Sequence, residues 1–311
     1  MEKLVFKAMG TTITLQIQHS HASKLLSLAH EMLIDYEKRF SANHSDSQLM
    51  QVNLAAGEKA VQVDSDLFEL IQYGKKYSID ESTTLNIAIG PLIKLWRIGF
   101  KDAQVPTDEE IKARLQLINP NNIILDSQNN AVFLREKGME IDLGALAKGY
   151  FADKVKAFLI QQGVQHGIVD LGGNVLLIGQ HPTNKDGNWR VGIQDPFKSR
   201  HNILGIVSSA DNSIVTSGIY ERTLTINGED FHHIFDSKTG YPIKNDIASI
   251  TILSNESIMG ELYTSLYYQY SSSETLELLE DVSEVESIIV TKSGEILLSS
   301  KMGNKFTYIR S

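Results

Sequence analysis

The sequence predicts an α+β protein of mixed β-sheets with helices packed against them. Helical periodicity is confined to a few stretches, the longest at 25–40 and 145–162. From Gly167 onward short apolar runs alternate with Gly- and Asn-rich breaks, the pattern of strands. The two kinds of element do not alternate regularly, as those of a doubly wound sheet would. With 311 residues, no internal repeat and no long linker, the chain reads as a single domain over residues 1–311.

Taken in order, Ile13, Leu15 and Ile17 alternate with polar residues and predict a half-buried strand after Met9-Gly10-Thr11. Leu25, Leu28, Met32, Leu33, Tyr36 and Phe40 recur at helical spacing. Asp64-Ser65-Asp66 with Glu69 resembles a helix start, and Leu67, Leu70, Ile71 and Gly74 continue its face. Gly90-Pro91 marks a break, and the stretch through Trp96 and Phe100 has no clean period. Thr107-Asp108-Glu109-Glu110 opens a short helix, and 121–125 pairs with 131–134 as a hairpin. A helix of about five turns spans Ala145 to Gln162, closed by Gly163 as a left-handed cap. Strands follow at 168–169, 175–178, 203–207 and 247–253, then a helix over 258–270 and a hairpin of 287–290 with 295–298 around Lys292-Ser293-Gly294.

Composition excludes several classes. Lys plus Arg number 29 against 38 Asp plus Glu, a net charge of −9, which lacks the basic field that nucleic acid or an anionic membrane requires. Cysteine is absent, which removes disulfides, thiolate metal sites and a Cys nucleophile. The N-terminal segment carries neither a long apolar run nor a small-residue cleavage site, and no window matches a membrane span, so a cytoplasmic protein is expected. No coiled-coil heptad is visible, and a monomer or weak dimer is expected.

Four motifs carry polar chemistry. Asp142-Leu-Gly-Ala-Leu-Ala-Lys-Gly149 places a carboxylate and small residues ahead of a long helix, whose N–H groups and dipole suit an anion such as phosphate; close packing explains the small residues equally. Asp170-Leu-Gly-Gly-Asn174 joins two strands, with paired glycines that admit a bulky ligand or simply form a turn. Ser217-Gly-Ile-Tyr-Glu-Arg222 is read as a strand with a local ion pair. His232-His-Ile-Phe-Asp-Ser-Lys-Thr-Gly240 gathers imidazole, carboxylate, ammonium and hydroxyl at a turn; strand alternation puts His232 with Ile234 and His233 with Phe235, so one histidine faces a site and the other does not.

Together with Met9-Gly10-Thr11, the Ser-rich segment 40–49 with Asn53, and Ile89-Gly-Pro-Leu92, these motifs resemble in order those of the FAD:protein FMN transferases, the ApbE or thiamine-biosynthesis-lipoprotein family. The resemblance covers nearly the whole chain. It implies a T-fold-like α+β architecture and an enzyme that uses Mg²⁺ to move the FMN half of FAD onto a Thr hydroxyl of a client flavoprotein, releasing AMP. A pyrophosphate needs a helix N-terminus or nest and a divalent cation, with attacking and leaving oxygens in line. By resemblance Met9, Asn43, Thr84, Asn86, Asp142, Lys148, Gly172, Gly173, Ser217 and Ile234 bind FAD. Ala145, through its carbonyl, Thr264 and Glu261 hold the metal, and His233 is the general base toward the client Thr.

The sequence departs from the family pattern in three places. On the late helix, where the family carries Asp and Thr four apart, this chain has Met259-Gly-Glu-Leu-Tyr-Thr-Ser-Leu266, so that Thr264 matches but Gly260 stands for the Asp. Glu261 is adjacent, rotated by about 100° from position 260. On this alignment Gly260→Asp should raise Mg²⁺ affinity. Asn86 and Ala88 replace Asp and Thr, and Asn43 replaces an aromatic. These changes keep two alternatives open: an Mg²⁺-dependent FAD pyrophosphatase, or an FAD-binding protein without activity. A nicotinamide-binding fold is discarded because Gly-x-Gly-x-x-Gly after a first strand is missing.

Overall fold

Ile13, Leu15 and Ile17 lie on one strand and are completely buried, as their alternation requires. The structure, a computed structural model, describes residues 1–80, 82–200, 202–220, 223–226 and 228–309. Its elements begin with β1 (Glu2–Ala8), β2 (Thr11–Gln18), α1 (Ala22–Phe40), α2 (Gln48–Leu54), β3 (Val61–Gln62), α3 (Ser65–Ser78), α4 (Gly90–Trp96) and α5 (Asp108–Leu115). Next come β4 (Ile123–Asp126), β5 (Ala131–Leu134), α6 (Ala147–Gln161), β6 (His166–Asp170), β7 (Asn174–Ile178), β8 (Trp189–Gln194), β9 (Ile203–Ser209) and β10 (Ser213–Gly218). The chain continues through β11 (Thr223–Ile226), β12 (Glu229–His232), β13 (Ile247–Ser254), α7 (Ser257–Leu266), α8 (Ser272–Glu280), β14 (Val285–Thr291), β15 (Ile296–Leu298) and β16 (Phe306–Tyr308). They form two compact units, the first comprising 1–37, 148–218 and 246–311, the second 38–147 and 219–245.

The first unit is organised by an eight-stranded sheet in the order β1-β2-β6-β7-β10-β13-β14-β15. Neighbouring strands are antiparallel throughout. Every residue of β13 is buried, because the sheet is covered on both faces there. One face carries Val215 and Ser217 toward α7. The other carries Ile214, Leu253, Ile288 and Val290 into a core shared with Trp189, Ile193 and Val207 of a three-stranded sheet ordered β16-β9-β8. Tyr36 of α1 stacks on Phe151 of α6 with centroids 4.8 Å apart.

The second unit holds α2 to α5, the sheet β3-β5-β4 and the hairpin β11-β12. Asp64 caps α3 by accepting from the Leu67 N–H, and Thr107 with Glu110 forms a capping box on α5. Leu92, Leu95, Trp96, Ile111, Phe231 and Phe235 make its core. The Trp96 indole donates to the Gly240 carbonyl at 3.0 Å, anchoring the Asp236–Gly240 turn.

Four expectations change. Gly90-Pro91 starts a helix instead of breaking one: Pro at the first turn loses no hydrogen bond, and α4 ends at Arg97, which is left-handed at φ 52°. The late helix stops at Leu266, four residues early, because the Tyr268 hydroxyl is turned back onto the Ile247 carbonyl. The strand carrying the two histidines ends at His232, so period-2 alternation does not extend to Phe235. Two helices, α2 and α8, were not expected; Ser47 and Ser271 cap them. Of the segment 217–222, Glu221 and Arg222 lie outside the described residues, and with them the expected ion pair.

Candidate active site

In the first unit, three motif segments converge on α7. Lys148, in the first turn of α6, places its ammonium 2.7 Å from Oε1 of Glu261. The Asn174 amide, at the start of β7, donates to the same oxygen at 3.0 Å. The Glu261 side chain is only 4% exposed, against 31% for Lys148. A carboxylate so buried is costly unless paired and hydrogen-bonded, and here it is both. Asn174 is fixed in turn by the Ser257 hydroxyl, which donates to its Oδ1 at 2.6 Å.

Gly149 allows this convergence. A Cβ there would lie 2.6 Å from the Ser257 carbonyl oxygen and 2.8 Å from Glu261 Cγ, so only glycine lets α6 approach α7 this closely. Asp153, one turn further along α6, accepts from the N–H groups of Ser257 and Ile258, both at 2.8 Å, and so supplies the cap that Glu256 does not. Burial pushes its carboxyl up to about 6 despite those two donors; Glu256 adds to the rise and Lys156 opposes it.

On the next turn of α7 the Thr264 hydroxyl, fully buried, donates to the Glu261 carbonyl and accepts from Ser217 of β10, each at 3.0 Å. The Glu261 side chain, about 60° around the helix axis from Thr264, reaches Lys148 and Asn174. Gly260 corrects an expectation. A Cβ at this position would lie 2.5 Å from Val215 Cγ2 and 2.9 Å from Val215 Cβ, so Gly260→Asp overpacks the helix–sheet contact instead of restoring a ligand. The carboxylate available on α7 is that of Glu261, and its cation is already the Lys148 ammonium.

The paired glycines have separate tasks. Gly172, at φ 75°, abuts Thr11, whose Oγ1 would lie 2.0 Å from an added Cβ; Gly173, at φ 93°, has nothing within 4 Å of that position. The close approach at Gly172 is thus to the Met9-Gly10-Thr11 segment. Asp170 accepts from the N–H groups of both glycines, and burial still pushes its carboxyl above the usual range. Met9 is itself left-handed at φ 53°, and its N–H donates to Glu37 at 2.6 Å.

The second unit positions the remaining candidates. The Asp142 N–H donates to the Ile87 carbonyl at 2.9 Å and its Oδ1 accepts from Gly144 at 2.8 Å, an Asx turn leading to the exposed Ala145. Asn53 clamps the neighbouring Ile141, donating to its carbonyl and accepting from its N–H. Asn86 is tied up at both ends of its amide, donating to the Ile118 carbonyl and accepting from the Ala88 N–H at 2.8 Å each. It therefore holds its loop, and contact with a ligand would require breaking these bonds. Thr84 is buried and Asn43 exposed.

The two histidines separate clearly. His232 is buried, with Nε2 2.8 Å from the Ile243 carbonyl and Nδ1 accepting from the Ile234 N–H at 3.3 Å. A carbonyl only accepts, so Nε2 carries the proton and the ring is committed to the fold. His233 and Ile234, half-buried, follow the strand end. The network partners Asn174, Glu37 and Asp153 were not singled out by sequence. Asn174 closes the Gly-Gly motif and so had a signal; Glu37 and Asp153 act across 28 and 104 residues and had none. Among the described residues, no three His, Asp or Glu side chains form a metal-holding cluster, and no helix is long and apolar enough to cross a membrane.

Residues 9–289 match the model of the ApbE family. An FAD:protein FMN transferase of Klebsiella pneumoniae strain 342 is 39% identical over 303 residues, covering 97% of this chain and 93% of that protein. One of Treponema pallidum is 32% identical over 270 residues, covering 83% and 75%. Among solved structures, the ApbE protein of Thermotoga maritima superposes with a TM-score of 0.88 at 23% identity, covering 100% of this chain and 99% of that one. The flavin transferase ApbE of Vibrio cholerae gives 0.83 at 24% identity, covering 98% and 99%. Both structures support the α+β fold. By sequence, this chain belongs to the ApbE family.

Proposed function

We propose that the protein is an Mg²⁺-dependent FAD:protein FMN transferase acting on a Thr hydroxyl of a client flavoprotein. The relatives that are 39% and 32% identical are named FAD:protein FMN transferases. The observation that carries the reading is the buried Lys148–Glu261–Asn174 cluster beside Thr264 and Ser217, where polar groups from separate motifs meet at a cost that a purely structural core avoids.

The client Oγ attacks the FMN phosphorus of FAD, and the bond from that phosphorus to the bridging oxygen breaks, leaving AMP. His233 takes the proton from the hydroxyl, which is too weakly nucleophilic to react at neutral pH without a base. Lys148 and the Gly172-Gly173 turn face the pyrophosphate, and Met9, Asn43, Thr84, Asp142, Ser217 and Ile234 line the rest of the substrate. Asn86 acts by holding its loop. Hard oxygen donors suit Mg²⁺, and the Ala145 carbonyl, Thr264 and Glu261 would hold it. Bound there, the ion neutralises pyrophosphate charge.

The test is AMP release from FAD with and without Mg²⁺ and a Thr-bearing client. Release that needs all three supports the reading; its absence with all three present sinks it. The exposed, non-aromatic Asn43 favours a second reading, hydrolysis of FAD to FMN and AMP, which would release AMP with no client.

A further inference from the structure

We propose that a divalent cation binds this protein by displacing the Lys148 ammonium from Glu261, so that Lys148 holds the metal position until the ion arrives and is then released toward the anionic substrate. The proposal rests on the transferase reading for the metal but on the side-chain geometry for the exchange. Glu261 is the carboxylate of α7 and its path is fixed, since its Cγ runs over Gly149 where no side chain fits. Its Oε1 carries the ammonium at 2.7 Å and the Asn174 amide at 3.0 Å.

Mg²⁺ coordinates oxygen at about 2.1 Å. An ion bonded to Glu261 and an ammonium still in place would bring three positive charges around one carboxylate, and their mutual repulsion favours release of one of the two. Asn174 is neutral and stays. Lys148 is the mobile partner: its side chain is 31% exposed and flexible, whereas Glu261 is 4% exposed. Position 260 offers no alternative carboxylate, because Val215 fills the space.

Exchange has a consequence that simple ligation lacks: removing the ammonium should tighten metal binding. The experiment measures Mn²⁺ binding by electron paramagnetic resonance to the full chain without FAD. Lys148→Met should bind Mn²⁺ at least about ten-fold more tightly than wild type, within the usual range of coupling between two sites. Lys148→Arg, which keeps the charge, should stay near wild type, and Lys148→Met with Glu261→Gln should lose the gain. Affinity unchanged or weaker in Lys148→Met overturns the proposal, as does a gain that survives in the double variant. If Lys148→Met does not fold, Glu261→Gln alone decides: it must weaken Mn²⁺ binding, and unchanged binding refutes the exchange. Failure here leaves client-dependent AMP release untouched, so the two readings fail separately.

Discussion

At the scale of single residues, Gly260 and Asp153 show how one helix is held in place. Gly260 faces Val215 so closely that a side chain has no room. Gly260→Asp should therefore lose about 1–3 kcal/mol of stability through overpacking and desolvation. Pairing it with Val215→Ala should recover part of that loss. Denaturant midpoints of the two variants check this, and an undiminished midpoint in the single variant would contradict the packing described. Asp153 makes a pH-dependent contribution of definite sign. Its folded carboxyl titrates at about 6, above the value near 3.9 of an unfolded Asp. The folded protein takes up this proton first as pH falls, so its stability declines as pH rises from about 4 to about 6, and the penalty is complete above that. Asp153→Asn removes the titrating group. Its stability profile should flatten in that window relative to wild type, and parallel profiles would refute the assignment.

At the scale of elements, legibility followed the range of the forces involved. α5 was read from Thr107 and Glu110, whose reciprocal bonds span three residues, and β4-β5 from apolar runs around a polar turn. Where tertiary contacts decide, local pattern misled. The strand at 229–232 ends because His232 is drawn onto Ile243, and α7 ends early because Tyr268 is drawn onto Ile247. The candidate site divides in the same way. Its motifs were visible, yet the Lys148–Glu261 pair joins residues 113 apart and could not be read from either segment. The adjacent histidines turn this difference into a prediction. His232→Gln should lower stability, because the ring uses both nitrogens within the fold. His233→Gln should lower turnover per folded molecule about 10²–10⁴-fold. Equal effects of the two on turnover per folded molecule would remove the base assigned to His233.

At the scale of the whole molecule, the chain keeps the family's fold. Positions 43 and 86 lie on loops outside the eight-stranded sheet, whereas Gly260 packs directly against Val215 of that sheet. A net charge of −9 makes general attraction of an anionic dinucleotide unfavourable, so FAD binding must depend on local donors and on cations at the site. Affinity for FAD should accordingly rise with Mg²⁺ more steeply than with an equal ionic strength of NaCl, a comparison that calorimetric titration makes directly. A response equal for both salts would remove the specific role of the divalent ion.

Transfer of FMN to a client threonine is read out by intact-mass and peptide mass spectrometry of a Thr-bearing flavoprotein client incubated with this protein, FAD and Mg²⁺. One FMN ester on threonine is expected for each AMP released, and none when His233 is replaced. AMP released without modification of the client, or neither product, would contradict it.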